Sequence, residues 1–282
     1  MRYSSVLATV AVLITAVSAA AQSNWDKTYN VSGRAAVQVS VDNASVITRT
    51  CGTCRTVRIH VDAHGNDLSR WHLTEMQGGN VVHFTMKRRD EERFFMGWQG
   101  RSPEVFVDLP TESDVELRSG NGGLQLTGVH GSVDVKTGNG SVGVEDVTGA
   151  LRITSGNGAL TVRRVEGTLM AVSGNGPMTL EGRLSQFEVR SGNGGMNIVL
   201  EPGTTLTSSS RATTGHGGMH LTVPRDLKAE LDLTTGNGSL HSDLPMMSQS
   251  TSDRHHLHGN INGGGPSLRL TSGNGSVTIR SN

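Results

Sequence analysis

Two cysteines and a scatter of histidines are the residues of this chain best equipped for chemistry. Cys51 and Cys54 stand in Cys-Gly-Thr-Cys, and His60 and His64 follow, giving C-x2-C-x5-H-x3-H. Three chemistries use such residues. A disulfide pinning a turn is the default for an exported protein and is the expected reading. A redox-active pair needs its first Cys at a helix N-terminus, and nothing helical follows here. Zinc would take all four residues, although the five-residue spacer is shorter than in familiar zinc modules. A second group, His255, His256 and His258 with His241 and His220, has the imidazoles for zinc, copper or nickel, yet histidines in a flexible polar loop are more often solvated. No metal or cofactor is therefore expected.

Catalytic signatures are absent from the sequence. It has no G-x-S-x-G elbow and no H-E-x-x-H. The carboxylate pairs Glu91 and Glu92 or Glu145 and Asp146 are adjacent in sequence, so on strands they point to opposite faces. A polysaccharide-cleaving β-helix would need an acidic or basic stripe on one face. The outward positions Gln125, Asp134, Arg152, Thr161 and Glu188 change character from rung to rung instead.

The elements that carry these residues announce themselves by repetition. Eight copies of [Ser/Thr]-Gly-[Asn/His]-Gly open at Gly120, Gly138, Gly156, Gly174, Gly192, Gly215, Gly236 and Gly273, the first five spaced by 18 residues. A fixed period means one unit stacked on itself. After each Asn-Gly step apolar residues alternate with polar ones, as in Val142 and Val144 or Leu160 and Val162, which makes a half-buried strand. Near mid-unit comes a second turn signal, Gly131, Gly149 or Gly167, then a second alternating pair such as Leu151 and Ile153. One unit is thus two strands and two turns. The pattern predicts an all-β fold, a β-solenoid of β-helix or β-roll type, with the two-sided roll favoured over a triangular coil.

The corner suits a tight turn with left-handed backbone, which Gly adopts freely and Asn tolerates. Stacked corners would align Asn121, Asn139, Asn157, Asn175 and Asn193 as an amide ladder, with Asn237 and Asn274 continuing it. Calcium-binding glycine-rich repeats place an Asp after the turn, where this chain has Leu124, Val142, Leu160 and Met178, so the corners are read as structural.

The organisation divides into a leader at 1–21, a β-rich N-terminal cap at 22–110, and the repeat solenoid at 111–282 with a loop insertion at 245–266. The leader has Arg2, an apolar run from Val6 to Val17 and small residues ending at Ala21, the layout of a secretory signal peptide. That run is too short to span a bilayer, and no later segment is apolar enough, so the mature chain is expected outside the cytoplasm with no integral membrane segment. The cap reads as strands at 36–41, 45–50, 55–61, 81–86 and 104–109. The closing stretch, Leu268 to Ile279, reads as a last rung that closes the stack. Within the stretch 87–101, Phe94, Phe95 and Trp98 form either a hydrophobic plug on the first rung or an exposed patch for a protein or sugar polymer. The 25 basic and 25 acidic residues balance, which points away from nucleic acid.

From about Val37 onward, the stretches VQVSVDNASVITRTCGTCRTVRIHV, VFVDLPTESDVELRSGNGGLQLTGVHGSVDVKTGNG, VPRDLKAELDLTTGNGSL and INGGGPSLRLTSGNGSVTI resemble the DUF4097 family, described as candidate adhesins built from β-strand repeats. The resemblance implies an extracytoplasmic β-solenoid without established catalytic residues. Some relatives look like domains attached to membrane-stress sensors, but this chain lacks their transmembrane helix. The expected role is an exported, noncatalytic structural or interaction module of the cell envelope, an adhesin for an envelope protein or glycan, with self-association through end strands an option. The alternatives are a polysaccharide-processing enzyme and a sensing module in envelope-stress signalling.

Overall fold

The computed structural model describes residues 23–89, 101–245, 251–252 and 254–282. Among them are 22 strands and one short 3-10 turn at Leu68–Arg70, with no α-helix. The fold is an all-β solenoid, and its rungs are two-sided. One face carries the strand that leads into each Gly-Asn-Gly corner, the other the strand that leaves it. In the central stack, residues 18 apart pair in parallel: Val133 with Leu151, Leu151 with Leu169, and Val142 with Leu160, Leu160 with Met178. Such neighbours lie about 4.8 Å apart.

A rung alone offers about four inward side chains, for example Val133, Val135, Val142 and Val144, and has nothing to bury them against. Stacking converts them into continuous columns in which Val135, Ile153, Ala171 and Val189 are wholly buried from one face and Val162, Leu180 and Ile198 from the other. Each fully buried Val or Leu contributes roughly 1.5–3 kcal/mol, so the core strengthens with every added rung.

The corner explains the motif residue by residue. A Cβ on Gly156 would sit 2.5 Å from the carbonyl oxygen of Gly138, and one on Gly158 would sit 2.1 Å from that of Gly140. The same collision recurs at Gly174 and Gly176 against the rung before them. Only residues without a side chain let successive corners stack this closely. At several corners the inward Ser or Thr that precedes them donates to the second glycine carbonyl of the neighbouring rung: Thr137 to Gly122 at 3.2 Å, Thr214 to Gly194 at 3.1 Å, Thr235 to Gly275 at 2.8 Å. Left-handed backbone occurs at the second glycine of four corners, Gly158, Gly176, Gly217 and Gly275, with φ of 150° at Gly158 and 136° at Gly176, and at none of the corner Asn residues. The expectation that Asn is chosen for its backbone tolerance is therefore corrected.

The opposite corner turns more gently. Asp146 and Arg164 take φ of 55° and 50°, while Val147 and Val165 beside them stay buried. Pairing continues through this corner, so Val142–Asn157, Leu160–Asn175 and Met178–Asn193 each run as one 16-residue strand around it.

Both ends of the stack are interleaved. Ala35–Val41 and Ser45–Thr50, first of the rungs in sequence, lie between Val81–Arg88 with Glu104–Leu109 and Ser113–Ser119 with Leu124–Thr127. At the other end Ser267–Asn274 and Val277–Ser281 are inserted between the rung of Ser210–His216 and Met219–Val223 and that of Ala229–Asn237 and Leu240–Ser242. The final rung in sequence therefore does not close the stack. The reason lies in the 245–266 segment, where His256–Ile261 pairs antiparallel along the outer edge of Ala229–Asn237 and leaves only the inner edge free.

At the N-terminal end two strands absent from the sequence reading, Asn24–Asn30 and Trp71–Gly78, lie antiparallel on Thr56–Asp62 and Val81–Arg88. They bring Trp71 and Tyr29, 4% and 3% exposed, over the end of the core. Trp25 packs on Phe84 with ring centroids 5.2 Å apart. The Tyr29 hydroxyl and Lys27 both bond the Glu75 carboxylate, and Gln77 Nε2 donates to the Asn30 carbonyl at 2.7 Å, tying the two edge strands together.

Two glycine substitutions separate stacking from composition. Gly156→Ala is expected to cost about 1–3 kcal/mol in urea unfolding, because backbone must shift to admit the methyl group. Gly123→Ala, whose Cβ would meet its nearest neighbours at 3.7 Å, is expected to stay within about 0.5 kcal/mol.

Candidate interaction surface

The chemistry-bearing residues are spread rather than gathered. Cys51 and Cys54 lie within disulfide distance, their Cα atoms 5.7 Å apart, in a turn beside Leu109. His60 faces Asp26 at 3.3 Å and its ring neighbours Phe106, while His64 lies 3.4 Å from Asp62 and 3.6 Å from Glu104. The four residues of the zinc reading thus make separate contacts. At the far end His256 meets Asp232 at 3.2 Å, His258 meets Glu230 at 3.6 Å, and His241 meets Asp243 at 2.6 Å. Among the described residues, no three His, Cys, Asp or Glu side chains converge as a metal site requires. The leader 1–21 and the patch residues Phe94, Phe95 and Trp98 lie outside the described residues.

The amide array forms a ridge along the corner. Asn139 Nδ2 donates to Asn121 Oδ1, Asn157 to Asn139 and Asn175 to Asn157, each at 2.7 Å, and Asn193 continues to Asn175 at 2.8 Å. Asn121 in turn donates to Asn43, which carries the ladder into the first interleaved rung. Asn43 escaped the sequence reading because it stands in Asp-Asn-Ala, without flanking glycines. His216 occupies the ladder position between Asn193 and Asn274, and beyond it Asn237 donates to Asn274 at 2.7 Å. An amide has two N–H donors and a carbonyl with two lone pairs, so each exposed Asn keeps hydrogen-bonding capacity beyond the ladder.

Charge is distributed unevenly around the rung. The face leading into the corner carries Glu116, Asp134, Arg152, Glu188, Arg211 and Arg269. On the gentler corner Arg164 bridges both Asp146 and Glu145, and Arg183 pairs with Glu166 at 3.0 Å. The left-handed Asp146 breaks strand alternation, so these two carboxylates do not point to opposite faces as their adjacency predicts; they share one guanidinium. The Arg164 hydrogen bond holds the Asp146 carboxyl below its ordinary value, and Arg58 does the same for Asp26. The Gly-Asn-Gly side differs. Beside the amide ridge runs a column of small residues, Gly123, Ser141, Ala159, Pro177, Gly195, Gly218, Ser276 and Ser239 in spatial order. Beside that column, on the leaving face, stand Gln125, Gly143, Thr161, Thr179, Asn197, His220, Thr278 and His241.

Two measurements probe this geometry. Asn157→Val removes two ladder hydrogen bonds without backbone strain, and a loss of about 1–2 kcal/mol is expected in thermal melts. For Asp26 and Asp146 the folded value lies below the unfolded one, so the native state binds fewer protons. Their stabilisation is complete above the unfolded value near 3.8 and is lost as pH falls through the folded one. Melting temperature should therefore drop on acidification below about pH 4, and Arg164→Gln should shallow that drop.

No curated protein sequence matches the chain. Among solved structures, a putative adhesin from Bacteroides fragilis is 12% identical over 93% of this chain and 99% of its own, with a TM-score of 0.49. A putative lipid binding protein from Parabacteroides distasonis is 11% identical over 92% and 96%, with a TM-score of 0.45, and a putative adhesin from the same species is 10% identical over 92% and 97%, at 0.40. Over residues 36–280 the sequence matches the Toastrack DUF4097 model, and the chain belongs to that family.

Proposed function

We propose that this protein is an exported, noncatalytic interaction module of the cell envelope, an adhesin whose rigid stack presents flat strand faces to a partner. One observation carries the reading. The interior between the two faces is filled by side chains from Val37 to Ile279, so the outer faces are what the described part of the fold offers to another molecule. The apolar leader at 1–21 supports export, and the Cys51–Cys54 pair suits an oxidising compartment. Among the described residues no helix is long and apolar enough to cross a membrane. The chain forms one continuous domain in this reading, with the strands before residue 110 covering one end of the repeat stack.

The test is a binding screen of residues 22–282 against a polysaccharide array, peptidoglycan and whole-cell envelope fractions. Saturable binding that leaves the bound polymer intact is the expected result. Shortening of a polymer chain would replace the reading with an enzymatic one. Absence of binding to every fraction would overturn adhesion in favour of a signalling component.

A further inference from the structure

Three columns run side by side along the solenoid axis on the Gly-Asn-Gly side: the amide ridge, the small residues next to it, and the Gln125 to His241 column. Across the eight motif-bearing rungs none of these positions holds Asp, Glu, Lys or Arg, in a chain where 18% of residues are charged. The charged residues of the same rungs stand on the opposite face, on the gentler corner and, on the leaving face, one step beyond the outer column, where Glu145, Arg163, Glu181 and Arg280 alternate in sign. The middle column is the lowest, because Gly, Ala, Ser and Pro project little. The ridge of Asn side chains and the Gln, Thr, Asn and His side chains therefore flank a shallow uncharged channel. Gly143 adds a notch in its outer wall, lined by Gln125, Ser141 and Thr161, with Glu145 and Arg163 at its far rim.

The chemistry of this strip selects among partners. Nucleic acid and acidic polymers need a run of cations along their path; the strip itself holds none, and in the column beside it Arg163 and Arg280 are interspersed with Glu145 and Glu181. A protein partner draws most of its binding energy from buried aromatic, apolar or Arg anchors, and no large apolar or aromatic side chain projects from these columns in the motif rungs. What the strip does supply is amide and hydroxyl groups, each both donor and acceptor or placed beside one that is, repeating at the rung spacing. We infer that the strip binds a neutral glycan chain laid along the solenoid axis, with successive sugar hydroxyls hydrogen-bonded by successive rungs. This rests on the adhesin reading and assigns its surface and ligand class. Matching a neutral ligand to an uncharged strip avoids stranding a charge without a partner on binding.

The test uses residues 22–282 and surface-immobilised neutral polysaccharides, dextran, mannan and a mixed-linkage glucan, beside the acidic polymers alginate and hyaluronan. Binding to at least one neutral polymer, unchanged between low and high salt, is expected. The double variant Thr179→Glu with Asn197→Asp, which places two charges on the strip, should weaken that binding by about tenfold or more. Thr154→Glu with Thr213→Glu, on the opposite face, should leave it unchanged, and thermal melts of both variants establish that they fold. Salt-sensitive binding to acidic polymers alone, equal weakening by both pairs of substitutions, or binding only to protein fractions would overturn the strip assignment while leaving an adhesin in place. Failure with every polymer and envelope fraction would remove the adhesin reading as well.

Discussion

The distance between one corner and the next governs this molecule. Where a Cβ on Gly156 or Gly158 would fall within 2.1–2.5 Å of a carbonyl oxygen in the rung below, the backbone has closed to a separation that only glycine permits. That closeness sets the register of everything else in the rung. It brings the inward hydroxyl of Thr137 or Thr214 to the carbonyl of the neighbouring turn, and it brings Asn side chains near enough to bond amide to amide. The columns of Val, Leu and Ile follow from the same register. A one-residue slip would put every inward side chain outside. The corners act as a repeated alignment pin, and hydrophobic burial supplies the free energy that the pin directs.

Much of this was legible in the sequence because it is periodic. The 18-residue spacing, the alternation on either side of each turn and the second turn near mid-unit all have counterparts in the two-sided rung. Other features were hidden for identifiable reasons. The tolerance of Asn for left-handed backbone is a general property, and it misdirected the reading of a residue whose contacts here are made by its side chain. The interleaving of the end rungs could not be read from the motif, since Ser272 to Gly275 pairs as well with one neighbouring corner as with another. The choice is made by His256–Ile261, an antiparallel strand in a segment whose Gly, Ser and His content reads as loop.

The surface followed a different logic. Outward residues vary when each face is taken whole, and a search for an acidic or basic stripe finds none. Sorting the same residues by their distance from the corner reveals these columns, because the residue after each second glycine and the one two places beyond it are never Asp, Glu, Lys or Arg. The ion pairs lie on the face leading into the corner, as in Lys136 with Asp134 and Arg269 with Asp232, and where the chain turns gently, with Arg164 and Arg183 spanning adjacent rungs. Exposed pairs of this kind contribute little each. Their placement nonetheless leaves the amide ridge and the two columns beside it without Asp, Glu, Lys or Arg, so a narrow band of the roll meets whatever approaches with amides and hydroxyls alone beside its histidines.

The interleaved ends bear on how such a chain could change length over evolutionary time. A unit duplicated at the C-terminus would find the inner slot already filled by Ser267–Asn274 and the outer edge covered by His256–Ile261. A unit duplicated before Ala35 would meet the same obstruction at the other end, where the first rung is held on both sides. Between Ser113 and Leu200 consecutive rungs are also consecutive in space, and there a whole 18-residue unit can be gained or lost without disturbing either end. The molecule is thus built as a ruler with fixed end-stops and an adjustable middle.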